Sequence, residues 1–411
     1  MNIAIVFSWC IFNKHGGTER VLAEFCNAMV SKGHSITVYS PDCKEGSFLF
    51  SIDSSVKFSC YGEKNEGFFE SERGIKFRTF LILRKDIRKE RRHYLRRKKI
   101  ESSLRKKLKT EDVDIFITFS AYATYLLKMA IGDKVRIPIV TMIHTFIESS
   151  VEEMFPYEKN IFNKSTALNS RFRKDLQSFK ETVRDSTLIQ VLRPEYIDQI
   201  REFFQTDRVI CIPNAVPQFN EISESNHKTI IHVGRLCDVK RQHMIVQAFS
   251  LIRDSYPEWK VELWGDYTDV NYKNYVEGII NELQLQNNIK LCGPTDFVKD
   301  KLMNASIFAF PSKFEGFPLA LTEAMSLGLS VVGFSNCPSV NTIIRDNING
   351  LLCDDNVEDL ARVLSCLMSD EDFRRMLGAQ AKRDMEIYSP NIVWGQWEEV
   401  LLRICLLLKI N

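Results

Sequence analysis

The sequence predicts an α/β protein with two doubly wound parallel sheets in tandem. Three observations lead to this fold class. A short apolar strand, a loop and an amphipathic helix open the chain, and the same order of elements begins again at Thr229. Each copy then continues into another strand, and such strand–helix–strand units imply parallel pairing. Between the two copies lies a polar stretch with two prolines, residues 213–226, which is typical of a domain boundary.

The first copy begins with a predicted strand at Ile3–Phe7. A loop with Gly16-Gly17 follows, and a helix is expected from Thr18, a good N-cap residue. An apolar stripe at helical spacing supports this helix, formed by Val21, Leu22, Phe25 and Met29. Gly33 ends it, and Ser35–Tyr39 is the next predicted strand.

The second copy has the same design. Thr229–Val233 is a predicted strand, GRLCDVK is its loop, and Lys260–Trp264 is the following strand. The helix between them carries its own apolar stripe, formed by Ile245, Ala248, Phe249 and Ile252. We therefore predict domains at 1–215 and 227–388, and a C-terminal helix, residues 389–411, that packs back on the first domain.

The composition excludes several classes of protein. Net charge is +2 and 45% of the residues are hydrophobic, so no global field recruits nucleic acid. Eleven cysteines occur without a CxxC pair, which argues against a zinc site and favours reduced thiols in the cytoplasm. The opening MNIAIVF lacks a basic region and predicts a strand, not a signal peptide. No apolar run is long enough to cross a bilayer.

Residues 84–109 are strongly basic, with 14 Lys or Arg against 3 Asp or Glu. A solvated helix face in a surface insertion explains this pattern. A basic helix that meets anionic lipid or an anionic acceptor explains it as well. Nucleic-acid binding is disfavoured, because only His93 and Tyr94 are present for stacking.

Glu323 is the only charged residue in the 29 positions from Gly316 to Ile344. A carboxylate in so apolar a segment is expected to be buried, and a buried charge requires a partner. A salt bridge within the protein is one explanation. A ligand is the other, and the neighbouring motifs favour the ligand.

Two loops carry those motifs. The loop after Val233 brings Arg235 and Lys240 to the carboxyl edge of a parallel sheet, where a cationic pair suits a diphosphate. The second loop, residues 311–318, leads into a helix that begins near Pro318, whose free N–H groups favour anions. Glu315 precedes this helix and Glu323 lies in its second turn. Together these parts suit a nucleoside-diphosphate sugar.

Several segments closely resemble the family-4 retaining glycosyltransferases of the GT-B fold. They are GRLCDVKRQHMIVQAF, LCGPTDFVKDKLMNASIFAFPSKFEGFPLALTEAMSLGLSVV, IIRDNINGLL, GGTERVLAEFCNAM and IPNAV. The resemblance covers most of the chain and is weakest over residues 45–110. It implies two Rossmann-like domains that face each other across a cleft, the first for the acceptor and the second for the nucleotide-sugar.

The resemblance also implies roles for individual residues. Glu323 is expected to bind the ribose hydroxyls of the donor, and Glu315 a hydroxyl of its sugar. Arg235 and Lys240 are expected to neutralise the leaving diphosphate, next to the helix start at Gly316, Phe317 and Pro318. Gly16 and Gly17 let the backbone approach the substrates, and His144 lies near the sugar C6 hydroxyl.

The expected reaction is metal-independent transfer with retention, without a cofactor, from a nucleotide-sugar donor that is expected to carry UDP. The expected acceptor is a glycan or a polyprenyl-diphosphate-linked glycan in surface polysaccharide synthesis. We predict a cytoplasmic protein that can bind the inner face of the plasma membrane through residues 84–109, and no nucleic-acid partner. The Asp-x-Asp at Asp112–Asp114 is interpreted as a turn, not a metal site.

The chain departs from the family pattern at three places. Gly265 is followed by Asp266 where a second glycine is common, His144 is followed by Thr145, and CPSVNTII lacks a glycine. Two other functions remain open at this point. One is a sugar-nucleotide epimerase or hydrolase on the same fold, and the other is a non-catalytic module that binds anionic surfaces. A Rossmann dehydrogenase is disfavoured, because no GxGxxG follows either first strand.

Overall fold

The computed structural model describes residues 1–14, 16–42, 46–62, 85–132, 135–144, 170–267 and 269–410. For residues 85–93, 170–172 and 408–410 the description is limited to the helical backbone. The chain divides into two compact units. The first comprises Met1–Ile212 and Trp394–Asn411, and the second comprises Pro213–Val393.

The first unit contains a seven-stranded parallel sheet in the order β3-β2-β1-β4-β5-β6-β7. Its strands are β1 (Asn2–Val6), β2 (Ser35–Ser40), β3 (Lys57–Cys60), β4 (Ile115–Thr118), β5 (Ile139–Ile143), β6 (Leu188–Val191) and β7 (Val209–Cys211). Every residue of β4 and β5 is buried, as expected for central parallel strands covered on both faces.

The described residues of this unit form five helices before the domain boundary. They are α1 (Gly17–Ser31), α2 (Lys85–Lys107), α3 (Ala121–Ile131), α4 (Ser170–Arg184) and α5 (Ile197–Phe204). In α1 the predicted stripe is buried, with Val21, Leu22, Phe25 and Met29 at most 2% exposed. The predicted cap is wrong, however. The N-cap is Gly16 in an extended conformation, without a side-chain cap, and the helix begins at Gly17.

The second unit contains a six-stranded parallel sheet in the order β10-β9-β8-β11-β12-β13. Its strands are β8 (Thr229–Val233), β9 (Lys260–Trp264), β10 (Ile289–Gly293), β11 (Ile307–Phe310), β12 (Ser330–Phe334) and β13 (Leu351–Cys353). The predicted bounds of β8 and β9 are confirmed. The two parallel sheets confirm the predicted fold class.

Among the described residues up to Asp384, seven helices accompany this second sheet. They are α6 (Gln242–Ile252), α7 (Val270–Glu282), α8 (Val298–Met303), α9 (Leu319–Ser326), α10 (Val340–Ile343), α11 (Val357–Ser369) and α12 (Glu371–Asp384). Pro318 is the N-cap of α9, so this helix begins one residue after the predicted start. The stop at Gly328 follows from its positive φ of 76°, a conformation that favours glycine.

In both sheets the strand order reverses beside the first strand. The chain moves outward from β1 to β3 and then returns to β4 on the other side of β1. It does the same from β8 to β10 and back to β11. Such a switch point opens a crevice at the carboxyl ends of the strands, where open α/β sheets bind their ligands. Each unit therefore offers one position for a site.

The last helix, α13 (Pro390–Ile410), belongs to the first unit from Trp394 onward. The rings of Trp394 and Trp397 meet Phe25 of α1 edge to face, with centroids 6.0 and 5.4 Å apart. The Lys32 ammonium also pairs with the carboxylate of Glu398. This helix thus packs two tryptophan rings against the core around α1.

The basic segment forms α2, which contacts α3. Within its described side chains, one face is buried and includes Arg97, Ile100, Glu101 and Leu104. Glu101 lies within 4 Å of two cations, at 3.8 Å from Arg97 and 2.8 Å from Lys98. The opposite face is exposed and carries Lys106 and Lys107. In the part of α2 whose side chains the structure describes, exposed cations therefore lie on a helix that is anchored by an apolar and ion-paired face.

Candidate functional site

The loop after β8 is fixed by backbone hydrogen bonds to neighbouring loops. Gly234 N–H donates to Trp264 C=O at 2.9 Å, and Leu236 N–H donates to Asp266 C=O at 2.8 Å. On the other side, Lys313 N–H donates to Val239 C=O at 2.9 Å. Three loops at the carboxyl edge of the second sheet are thereby joined into one rigid rim.

Gly265 explains how closely two of these loops approach. Its φ is +148°, and a Cβ atom at this position would lie 2.0 Å from the Gly234 carbonyl oxygen. Asp266 stands where the family commonly has a second glycine, but the glycine on which this contact depends, Gly265, is present. Only a residue without a side chain permits this packing.

Lys240 and Glu315 meet at the centre of the rim. The Lys240 Nζ atom lies 2.5 Å from Glu315 Oε1, and their side chains are 19% and 11% exposed. The ammonium also lies 5.1 Å from the centroid of the Phe310 ring. Arg235, the other predicted cation, is exposed on the same loop. A partly desolvated cation and a carboxylate at a switch point suit a ligand with both phosphate and hydroxyl groups.

Glu323 lies in the second turn of α9 and is 5% exposed. The expected burial of this carboxylate is therefore confirmed. Phe317, at the start of the same segment, is 7% exposed and packs edge to face on Tyr388 at 5.5 Å. Ser339 Oγ donates to the Gly316 carbonyl at 2.8 Å. These contacts hold the start of α9, so its unpaired N–H groups keep a fixed direction.

Two residues that the sequence analysis did not single out support this rim. His232 is fully buried in β8 and its Nδ1 lies 2.9 Å from the Ala309 carbonyl oxygen. Burial lowers the pKa of His232 from 6.5 to about 4, so the ring is neutral and Nδ1 carries the proton. Its Nε2 then accepts from Gln242 Nε2 at 3.2 Å, and the same amide donates to the Arg235 carbonyl at 2.8 Å.

Arg241 is the third supporting residue, and it adopts a left-handed backbone conformation with φ 50°. Its guanidinium donates to the Pro311 carbonyl at 3.0 Å and to Asp355 at 2.7 Å, and lies over the Phe334 ring. Burial alone raises the pKa of Asp355, but hydrogen bonds from Asn336 and Arg241 lower it below its usual range. The role of Arg241 could not be predicted, because no sequence pattern marks a positive φ at a residue other than glycine.

The remaining predicted residues belong to the first unit. Gly16 caps α1, and a Cβ there would lie 2.0 Å from Glu19 Oε2, so a larger residue would displace the end of the Glu19 side chain. Gly17 is the exposed first residue of α1. His144 directly follows β5, and its ring stacks on Phe119 with centroids 5.1 Å apart. Its Nε2 is buried and has no hydrogen-bond partner among the described residues, and burial lowers the pKa of His144 to about 4.

The structure thus assigns the predicted residues to two edges. Seven of them lie in the loops or in the helix start at the carboxyl edge of the second sheet, namely Arg235, Lys240, Glu315, Gly316, Phe317, Pro318 and Glu323. Gly16, Gly17 and His144 lie at the corresponding edge of the first sheet. Asp114, from the Asp-x-Asp sequence, accepts from Asn2 N–H at 2.7 Å. Across the described ranges, no group of three or more His, Cys, Asp or Glu side chains forms a candidate metal site.

Family comparisons match both units. The model of glycosyltransferase family 4 matches residues 15–218, and the model of glycosyl transferases group 1 matches residues 217–384. This chain belongs to the family-4 glycosyltransferases. Glycosyltransferases of known structure with the GT-B fold resemble it over nearly its whole length. One is Anabaena HepE, solved with UDP and glucose, with a TM-score of 0.69, 15% identity and coverage of 97% of this chain and 98% of that one.

Relatives of this family-4 chain include enzymes of surface-glycan synthesis. An exopolysaccharide phosphotransferase of Streptomyces coelicolor is 32% identical over 48% of this chain and 21% of its own length. An alpha-1,4-N-acetyl-D-galactosaminyltransferase of Campylobacter jejuni, whose named acceptor is a glycan on PP-undecaprenol, is 22% identical over 95% of this chain and 96% of its own. The chain spans less than two thirds of the length of the first curated relatives that it matches, such as 21% and 57% for two of them.

Proposed function

We propose that this protein is a retaining glycosyltransferase that transfers a sugar from a UDP-sugar to a glycan or polyprenyl-diphosphate-linked glycan. The reaction serves the synthesis of a surface polysaccharide. The observation that carries the proposal is the Lys240–Glu315 pair at 2.5 Å, located at the switch point of the second sheet beside the start of α9. The UDP bound in HepE and the PP-undecaprenol acceptor of the Campylobacter enzyme support the substrate classes.

The donor is held in four contacts. Glu323 accepts hydrogen bonds from the ribose hydroxyls, and Glu315 accepts one from the donor sugar. Arg235 and Lys240 contact the diphosphate, together with N–H groups near Gly316, Phe317 and Pro318. In the free protein Lys240 neutralises Glu315, and on donor binding its remaining donor hydrogens reach the phosphate.

The chemistry is leaving-group catalysis. The bond between the anomeric carbon and the β-phosphate oxygen breaks, and negative charge develops on that oxygen. Lys240 and the N–H groups of α9 are preorganised to stabilise this charge, and Arg235 joins them when the donor is bound, so these groups take the role of a metal ion. The acceptor hydroxyl attacks the same face of the sugar. Its proton passes to the departing phosphate, and the configuration at the anomeric carbon is retained.

The first unit contributes positioning groups. Neutral His144, whose Nε2 atom has no partner among the residues that the structure describes, holds a hydroxyl of the donor sugar. Gly16 and Gly17 leave room for the substrates beside the start of α1.

In the described part of the chain, no helix is both long and apolar enough to cross a membrane. We assign the protein to the cytoplasm, with peripheral attachment through the exposed basic face of α2.

The test begins with donor binding and ends with the product. Thermal shift with UDP and a set of UDP-sugars identifies the donor, and Glu323→Gln is expected to weaken UDP binding about tenfold through the loss of a charge-assisted hydrogen bond. Glu282→Gln, which changes an exposed acid in α7, is the matched control.

NMR of the product made with a polyprenyl-diphosphate glycan is expected to show a retained anomeric configuration. Inversion, or rapid donor turnover without an acceptor, contradicts the proposal.

A further inference from the structure

The switch point of the first sheet is lined by a continuous aromatic row. The row consists of Trp9, Phe7, Phe119 and His144. The Phe7 ring meets Trp9 edge to face at 5.0 Å and stacks on Phe119 at 4.5 Å, and Phe119 stacks on His144 at 5.1 Å. Phe7 and Phe119 are fully buried, whereas Trp9 and His144 are partly exposed. The row therefore presents aromatic surface at its two ends.

A buried carboxylate fixes the Trp9 end of the row. Glu19 is 5% exposed, and its Oε1 accepts a hydrogen bond from the Trp9 indole N–H at 3.2 Å. Glu19 Oε2 lies close against Gly16, so that a Cβ added at this position would meet it at 2.0 Å. The indole ring is thus held in one orientation by residues of a single loop and helix start.

The chemistry of this crevice differs from that of the second unit. The second sheet's switch point presents Arg235 and Lys240, which suit phosphate groups. Here the described groups are aromatic rings, the hydroxyls of Ser8 and Ser120 at 3.2 Å from each other, and the carboxylate of Glu19. Lys14, the described cation of the loop, is exposed. A buried carboxylate disfavours a bound phosphate, whereas aromatic faces and hydroxyls suit an uncharged, polyhydroxylated ring.

We infer that the Trp9 end of the aromatic row is an acceptor subsite that binds a neutral sugar ring stacked on the indole. The apolar C–H face of the ring packs on the indole, and its hydroxyls reach the polar groups beside the row. Glu19 is a positioning residue, because it acts on the sugar through Trp9. The inference rests on the proposed transferase function and adds that the enzyme recognises the neutral glycan end of its acceptor, not the lipid diphosphate.

Saturation-transfer NMR tests this subsite. The probes are methyl glycosides and short neutral oligosaccharides of glucose, galactose and N-acetylhexosamines, measured with and without UDP. At least one neutral sugar is expected to receive saturation at its ring C–H protons. Trp9→Ala is expected to lower its affinity about tenfold, and Trp9→Phe by less, because a smaller aromatic face remains. Glu19→Gln preserves an acceptor for the indole and is expected to retain binding, whereas Glu19→Leu loses it.

The controls separate this inference from the transferase proposal. Trp394→Ala removes another partly exposed tryptophan of the first unit and is expected to leave sugar binding unchanged. All variants are expected to keep the UDP-induced thermal shift, which also shows that they are folded. A wild-type protein that binds no neutral sugar, or a Trp9→Ala variant with unchanged saturation, overturns the subsite. Absence of any UDP shift in the wild-type protein instead contradicts the donor site.

Discussion

At the scale of single residues, the candidate donor site depends on charges that are partly removed from water. Lys240 and Glu315 are close in space but 75 positions apart in the chain, and both are mostly buried. Partial burial strengthens the field of the ammonium, since fewer water molecules screen it. Arg235 is exposed by contrast, so its contribution requires a bound donor.

Replacement of Lys240 by alanine is expected to reduce the rate of transfer about 100-fold or more, as for loss of one preorganised donor to a developing oxyanion. The variant removes the cation next to Glu315 and leaves the acceptor side unchanged. Release of UDP at saturating donor and acceptor measures kcat. Lys273→Ala, which removes a half-buried lysine paired with Glu277 on α7, is the control. Wild-type kcat in Lys240→Ala contradicts the site.

His232 predicts how stability depends on pH. Its pKa is lowered from 6.5 to about 4 in the folded protein, so the unfolded chain binds a proton in this range while the folded chain does not. The contribution of His232 to the free energy of unfolding is therefore fully present above pH 6.5 and is lost progressively as the pH falls toward 4. A pKa shift of this size corresponds to a contribution of about 3 kcal/mol.

Thermal unfolding between pH 7 and pH 4 checks this expectation. The wild-type midpoint is expected to fall more steeply than that of His232→Phe, which has no proton to bind at this position. His232→Phe starts from a lower midpoint, because Gln242 loses its acceptor. Parallel pH profiles of the two proteins would show that His232 is not responsible.

At the scale of elements, the loops at the edge of the second sheet support one another. His232 fixes Gln242, Gln242 holds the Arg235 carbonyl, and Arg241 joins the neighbouring loop at Pro311. Gly265 permits the closest contact, at Gly234. The cations are thus carried by a framework whose own hydrogen bonds do not involve the ligand.

A substitution at Gly265 tests this framework. Gly265→Ala places a Cβ 2.0 Å from the Gly234 carbonyl oxygen and strains a backbone with φ +148°. We expect a loss of about 2 kcal/mol or more in the free energy of unfolding, with weaker UDP binding. Gly278→Ala is the matched control, because its Cβ meets nothing within 4 Å and it lies inside α7. That variant is expected to gain about 0.5–1 kcal/mol. Equal denaturation curves for both variants contradict the close approach.

At the scale of the whole molecule, charge is distributed unevenly. The net charge is only +2, but 14 cations lie within residues 84–109. Because the field of exposed charges decays over about 10 Å at 0.1 M salt, this segment acts locally. Its helix keeps Leu104 and Ile100 in the core and turns lysines toward solvent. An anionic surface is the partner that this exposed face suits.

Vesicle flotation tests the proposed attachment to an anionic membrane. The protein is expected to float with vesicles that contain anionic phospholipid and not with neutral phosphatidylcholine, and binding should decrease when salt is raised to about 0.5 M. Charge reversal at Lys106 and Lys107 is expected to weaken binding. Reversal at Lys260 and Lys290 of the second unit changes the net charge equally and serves as the control. Salt-independent flotation, or equal loss in both variants, contradicts attachment through α2.

Much of the fold could be predicted because it is encoded locally. The apolar runs of β8 and β9 gave their bounds, and the stripe of α1 gave its buried face. The start of α1 was misassigned, because Thr18 has the chemistry of a cap, whereas the observed N-cap is Gly16, which lies against the buried Glu19 side chain. That contact depends on the fold of the loop, which periodicity does not describe.

The sequence by itself determined the alternation of strands and helices, the parallel sheets, the family, and the presence of Glu315, Glu323, Arg235 and Lys240 in loops and a helix start. These features follow from residues a few positions apart, whose periodicity and turn chemistry act locally. Tertiary structure alone decided that Lys240 pairs with Glu315, that His232 supports Gln242, and that Trp9 and His144 end one aromatic row. Such contacts depend on strand order and loop closure, so residues far apart in the chain meet only when the sheet has formed.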